Sequence, residues 1–183
     1  YRTPAHRDML IYETHVRDFT IDPSSGVPAP LRGKYEGFTE GVGLDHLKNI
    51  GVNMIELMPI NEFENGASDY GWGYSTVFFF APEASYAREP MKGSQYYEFK
   101  RLVDRLHTRG FGVILDVVYN HVGSPNVLGL IDRKYFFRLT ADYKFLSNSG
   151  CGNDVRSEAP MMRKFIVENV KYWMTEHHVD GFR

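Results

Sequence analysis

In the stretch R-G-F-G-V-I-L-D-V-V-Y-N-H, residues 109–121, a helix stop, a buried strand and a polar exit follow one another with almost no linker. Gly110 closes a helical pattern, as glycine does just past a helix C-terminus. Residues 111–118 form a nearly continuous apolar run. Such a run, rather than an alternating one, is expected of a strand covered on both faces in a parallel sheet. Asp116 interrupts it, and Asn120 and His121 stand where the strand would leave the sheet.

Three further segments read the same way: residues 9–16, 53–60 and 179–182. Between them lie helical stripes. Phe99, Leu102, Val103 and Leu106 recur at helical spacing within 94–109, a shorter stripe covers 44–50, and Met162, Phe165, Ile166, Val170 and Trp173 form a third. For the third, Ser157 is the expected N-cap and Pro160 falls in the first turn. Strand and helix in strict alternation predict an α/β fold with a parallel sheet. Two architectures satisfy the pattern: the N-terminal portion of a (β/α)8 TIM barrel, about four βα units, or a small doubly wound sheet. The doubly wound form lacks a Gly-rich phosphate turn after its first strand. Residues 61–93 and 121–156 are long and read as irregular loops, each after a strand, whereas the link at Gly110 is tight. Long loops on one face and short ones on the other suit a barrel enzyme. The run Phe78-Phe79-Phe80 is read as core.

The 183 residues suit one domain, 1–183, and a 43% hydrophobic content suits a packed core. A formal charge of −2 with no dense Lys/Arg cluster argues against nucleic acid. No apolar run is long enough to cross a membrane. Cys151 is the only cysteine, so the redox compartment is undetermined. Nothing at residues 1–4 resembles a signal peptide and no initiator methionine is present, so the sequence reads as cut at both ends; a cytoplasmic location is slightly favoured over secretion.

Polar residues gather at the expected strand ends: His15 and Arg17 after the first, Glu56 within the second, Asp116, Asn120 and His121 around the third, Arg183 at the fourth. Charges at such positions are costly unless paired. Each taken singly has an ordinary structural explanation. For Asp116 to His121, a satisfied network and a functional pocket stand level on the residues alone.

D-V-V-Y-N-H at 116–121, Y-G-W-G-Y at 70–74, G-C-G-N-D at 150–154 and D-G-F-R at 180–183, in this order, resemble the α-amylase superfamily of glycoside hydrolases. More narrowly, they are similar to its α-1,6-debranching enzymes: pullulanase, limit dextrinase and isoamylase. The resemblance implies a retaining hydrolase of α-glucan branch linkages in pullulan, amylopectin or glycogen. In such enzymes two carboxylates lie about 5–5.5 Å apart, one the nucleophile and the other the acid/base. It also implies that the nucleophile follows Arg183 by two residues and that the acid/base lies further on. The 183 residues alone are then expected to be inactive and poorly stable.

Site roles follow from the same resemblance. His121 matches a histidine that hydrogen-bonds the sugar at the cleavage subsite, Arg183 the arginine beside the nucleophile, and Tyr74 a stacking platform under the sugar. Asp116 matches a supporting residue. Trp72 with Tyr70 is a substrate wall or a loop anchor. Asn153, Asp154 and Arg156 lie in a loop near the site, for which a capped turn is an equal explanation, and Cys151 is read as a turn residue. Asn120 aligns with a calcium-binding position of many amylases, although the debranching enzymes often lack that ion, so no cofactor is required and calcium is the one metal considered. The expected partner is an α-glucan. The alternatives are a branching or transferase enzyme of the same superfamily, or a non-catalytic glucan-binding half-barrel.

Overall fold

A computed structural model describes residues 1–65 and 70–183. In chain order its regular elements are β1 (Ile11–Thr14), α1 (Asp18–Ile21), α2 (Gly43–Asn49), β2 (Met54–Leu57), β3 (Asn61–Phe63), β4 (Thr76–Pro82), α3 (Gln95–Thr108), β5 (Gly112–Leu115), α4 (Val127–Phe136), α5 (Pro160–His177) and β6 (Gly181–Phe182), with short 3-10 turns between them. The four expected strands are present as β1, β2, β5 and β6, each shorter than its apolar run.

These four pair in sequence order, all parallel. The strand order never reverses, so there is no switch point of the kind a doubly wound sheet requires. Register aligns Glu13 with Glu56 and Ile114, and Thr14 with Leu57 and Leu115. Side chains alternate faces along each strand. Ile55, Leu57, Val113 and Leu115 therefore enter one core together with Leu102, Val103, Leu106 and Trp173 from the helices. Glu13, Glu56 and Asp116 fall on the opposite face.

Helix α3 is held by this packing. Its Phe99, Leu102, Val103 and Leu106 are all buried, each worth on the order of 1.5–3 kcal/mol relative to exposure. That outweighs the marginal stability of an isolated helix of this length. The expected stop at Gly110 is present, with φ +82°.

Four expectations need correction. Residues 61–93 are not irregular: β3 and β4 form an antiparallel pair, although residues 66–69 lie outside the described residues. In that pair only Phe79 of the Phe78-Phe79-Phe80 run is buried, because a strand sends its neighbours to the other face. Residues 121–156 contain α4, which with Val122, Phe137, Val155 and Met162 builds a second small core. Ser157 does not cap α5; the chain turns at Arg156–Ala159, and Pro160 opens the helix from Ala159. The free N–H of Met161 is instead satisfied by the Tyr135 hydroxyl at 3.0 Å.

Candidate active site

The site is built from what the parallel register places at the strand ends. Asp116 continues the face of Ile114 one step past β5, and Arg183 follows β6. The backbones interlock there: Val117 N–H donates to the Arg183 carbonyl at 3.1 Å and Arg183 N–H to Leu115 at 3.0 Å. This fixes the two side chains side by side. Arg183 Nη1 donates to Asp116 Oδ2 at 2.6 Å, and Arg183 Nε lies 3.7 Å from Glu56 Oε1. Tyr74 arrives from the loop after β3, and its hydroxyl donates to the same Asp116 Oδ2 at 2.7 Å.

Gly73 makes that arrival geometrically possible. It adopts φ +86°, and a Cβ there would stand 2.3 Å from the Pro59 carbonyl. Only glycine allows the turn to lie this close to the end of β2.

Electrostatics set the protonation states. The Tyr74 hydroxyl is pushed up to about 12, first by burial and then by its hydrogen bond to Asp116. It is a neutral donor at any ordinary pH. Burial raises the Glu56 carboxyl, Glu13 and Asp116 raise it further, and Arg183 opposes them. The His121 imidazole is lowered by burial, which a hydrogen bond with the Tyr74 backbone partly offsets. It is therefore a neutral hydrogen-bonding group near neutral pH. Its Nδ1 lies 2.8 Å from Asn120 Oδ1, which orients the ring.

The carboxylate oxygens of Glu13, Glu56 and Asp116 lie within 4.8 Å of one another. Sequence reading missed Glu13; the signal available was its position two residues before His15 in a strand, on the face that Glu56 shares by register. The Arg183 guanidinium reaches two of the three, so the positive charge such a cluster needs comes from the chain itself. Asn120 is not part of this cluster. Its side-chain oxygen faces His121 and its carbonyl accepts from Val155 N–H at 2.9 Å. Among the described residues no group of three or more His, Cys, Asp or Glu ligands is found at Asn120.

The remaining candidates take other positions. Asn153 accepts from Val122 N–H and donates to Val122 C=O, both at 2.9 Å, and so pins the backbone beside His121. Asp154 accepts from the Asn148 and Ser149 backbone and the Ser149 hydroxyl. The Ser149 hydroxyl chiefly holds its carboxyl below the usual range. Asp154 bonds within its own loop, whereas Asn153 bonds across to the segment before α4. Arg156 is exposed and sits 3.6 Å from Glu158. Cys151 is an exposed free thiol. Trp72 is 64% exposed, whereas Tyr70 donates to Asp18 at 2.8 Å and lies under Arg17. His15 is a buried, satisfied histidine: its Nδ1 accepts from Asp18 N–H and its Nε2 lies 2.9 Å from both Gly71 O and the Tyr86 hydroxyl.

Carboxylates and an arginine converge where parallel strands end, with the strands neighbouring in sequence order, as at the loop face of a (β/α)8 barrel. The chain belongs to the α-amylase family, whose catalytic domain matches residues 11–128. It is 42% identical to isoamylase 1, chloroplastic, of Arabidopsis thaliana over 97% of this chain and 25% of that protein. It is equally 42% identical to the pullulanase of Bacillus subtilis strain 168, over 96% of this chain and 27% of that protein. Among solved structures, the pullulanase of Paenibacillus barengoltzii in complex with maltohexaose and alpha-cyclodextrin superposes with a TM-score of 0.93 at 38% identity, covering 100% of this chain and 31% of that one. The chain thus corresponds to the N-terminal part of a (β/α)8 barrel and spans about a quarter of the length of these curated relatives.

Proposed function

We propose that the polypeptide carrying this segment hydrolyses α-1,6-glucosidic branch linkages in α-glucans by a retaining double displacement. The observation that carries this is the Asp116 carboxylate bound at once by Arg183 and Tyr74 at the mouth of the parallel strands. The two named relatives, an isoamylase and a pullulanase, support the debranching reading over transfer. Solved relatives named as complexes with maltohexaose and maltose support a malto-oligosaccharide as the bound group.

In this reading Arg183 sits beside the nucleophile and keeps it ionised, because a fixed positive charge favours the carboxylate form. The neutral His121 imidazole hydrogen-bonds a sugar hydroxyl. Tyr74 offers its ring face to the apolar face of the same sugar, while its hydroxyl stays locked to Asp116. Exposed Trp72 extends that wall. The nucleophile and the acid/base come from residues beyond the present segment, the nucleophile two positions after Arg183. The chemistry belongs to two carboxylates and needs no cofactor.

The test is an assay of the full-length protein on pullulan, with reducing ends and anomeric configuration followed by NMR. Release of α-anomeric maltotriose is the expected result. No release above a buffer blank, or a product of inverted configuration, removes the reading.

A further inference from the structure

Away from the strand-end cluster, a cavity of about 440 Å³ is walled by four cationic side chains: Arg17, Arg32, Lys34 and Arg88. Among the described residues none of its lining side chains is acidic, in a chain whose net charge is −2. The neighbouring cavity beside Arg88 and Arg101 is different, since Glu36, Glu89 and Glu98 line it too.

The four cations are only partly neutralised. Lys34 Nζ donates to the Ser85 carbonyl at 2.6 Å and Arg32 Nε to the Val27 carbonyl at 2.8 Å. Each spends a hydrogen bond on a neutral acceptor, keeping its full charge and its other N–H donors. Arg88 pairs with Glu36 at 3.1 Å, but Glu36 is shared with Arg101 at the same distance. Arg17 pairs with exposed Asp18 at 3.6 Å and lies over the Tyr70 ring.

The wall is also built to bring these groups close. Gly33 N–H is held by the Thr20 hydroxyl at 2.8 Å in a buried hydrogen bond. At its φ of +71° a Cβ would stand 3.0 Å from Arg17 Cγ, so the glycine lets the arginine stem lie against the cavity floor. The Ser85 hydroxyl, in the same wall, is buried without a hydrogen-bond partner among the described residues. Ile21, Ala87 and Pro90 complete the lining with apolar surface.

We propose that this cavity binds a phosphate-class dianion carried as a monoester on a sugar. Forked arginine donors and a lysine point charge match phosphate oxygens. The apolar wall and the spare volume suit the attached ring better than a bare ion. This site is independent of the debranching reading and concerns none of its residues.

The experiment is calorimetric titration of the full-length protein with glucose 6-phosphate, inorganic phosphate and glucose, at matched ionic strength. Saturable binding of glucose 6-phosphate is expected, tighter than that of phosphate; glucose should not compete. Equal binding of phosphate would assign the site to the free ion, with the same anion chemistry retained. Removing both charges with Arg32→Gln and Lys34→Gln should weaken binding by at least about tenfold, the size of one lost charge-assisted hydrogen bond. The pullulan kcat/KM should be unchanged. If that variant folds poorly, Arg88→Gln and ³¹P line broadening on the unaltered protein carry the same test. No saturable binding, full displacement by chloride, or wild-type affinity in the charge-removed variants overturns the proposal.

Discussion

One oxygen, Asp116 Oδ2, receives both the Tyr74 hydroxyl at 2.7 Å and the Arg183 guanidinium at 2.6 Å. It ties the loop after β3 to the end of β6, two segments far apart in sequence. Asp116 is buried, whereas the Arg183 side chain is 59% exposed. Both donors converge on this one buried carboxylate, so Asp116 orients the arginine and the tyrosine ring together.

Asp116→Asn keeps the shape but removes the charge. In the full-length enzyme it is expected to lower kcat/KM on pullulan by about 10²-fold, the scale on which misplacement of site groups acts. Tyr74→Phe removes a single hydrogen bond worth about 1 kcal/mol and is expected to cost tenfold or less. Steady-state kinetics of both variants test this ranking, and equal losses would contradict it.

Glu56 should report on Arg183. The arginine is the group that holds its raised carboxyl down, so Arg183→Gln should raise it further. The folded-state value lies above the unfolded one, so the folded protein binds the extra proton in that window. Glu56 consequently subtracts stability as pH rises through it. Glu56→Gln should flatten this part of the curve. Unfolding free energies from about pH 4 to 7 would show the slope change.

His177 should give the opposite sign. Burial, aided by Lys100, lowers its imidazole to about 4, and among the described residues its Nδ1 has no partner. The ring sits among Tyr96, Phe99, Tyr172 and Trp173. Its contribution is fully present above the unfolded value of about 6.5 and is lost as pH falls from there towards 4. Thermal melts at pH 7.5 and pH 5 should converge in His177→Gln relative to the wild type.

The Phe79 carbonyl is a structural anchor. It accepts from Asn61 Nδ2 and Asn169 Nδ2 at 2.7 Å and from Trp173 Nε1 at 3.0 Å, so it joins the β3–β4 pair to α5. Asn169→Leu should cost about 1–3 kcal/mol, the penalty for disturbing a buried polar network. Trp173→Ala, at a fully buried site, should cost about 3–5 kcal/mol. Urea unfolding would order the two.

The sequence by itself determined the four parallel strands, the helices α2, α3 and α5, and the fold class. Apolar runs and helical stripes are local patterns, and α3 with its stop at Gly110 follows from them directly. Asp116, His121, Tyr74 and Arg183 were legible as candidates because a resemblance in four ordered motifs pointed to them. Tertiary structure decided what local pattern cannot carry. Parallel register put Glu13 beside Glu56 and Asp116, a contact between strands that no spacing within one strand reveals. The pairing of β3 with β4 turned a loop into a ladder and exposed Phe78 and Phe80, since burial depends on which face a partner covers. Asn153 meets the Val122 backbone from across α4, a contact that only the folded chain supplies, whereas Asp154 meets the nearby Asn148 and Ser149 backbone. The physical reason is the same in each case: periodicity is encoded between neighbours in the chain, whereas register, pairing and charge partners are settled only when distant segments meet.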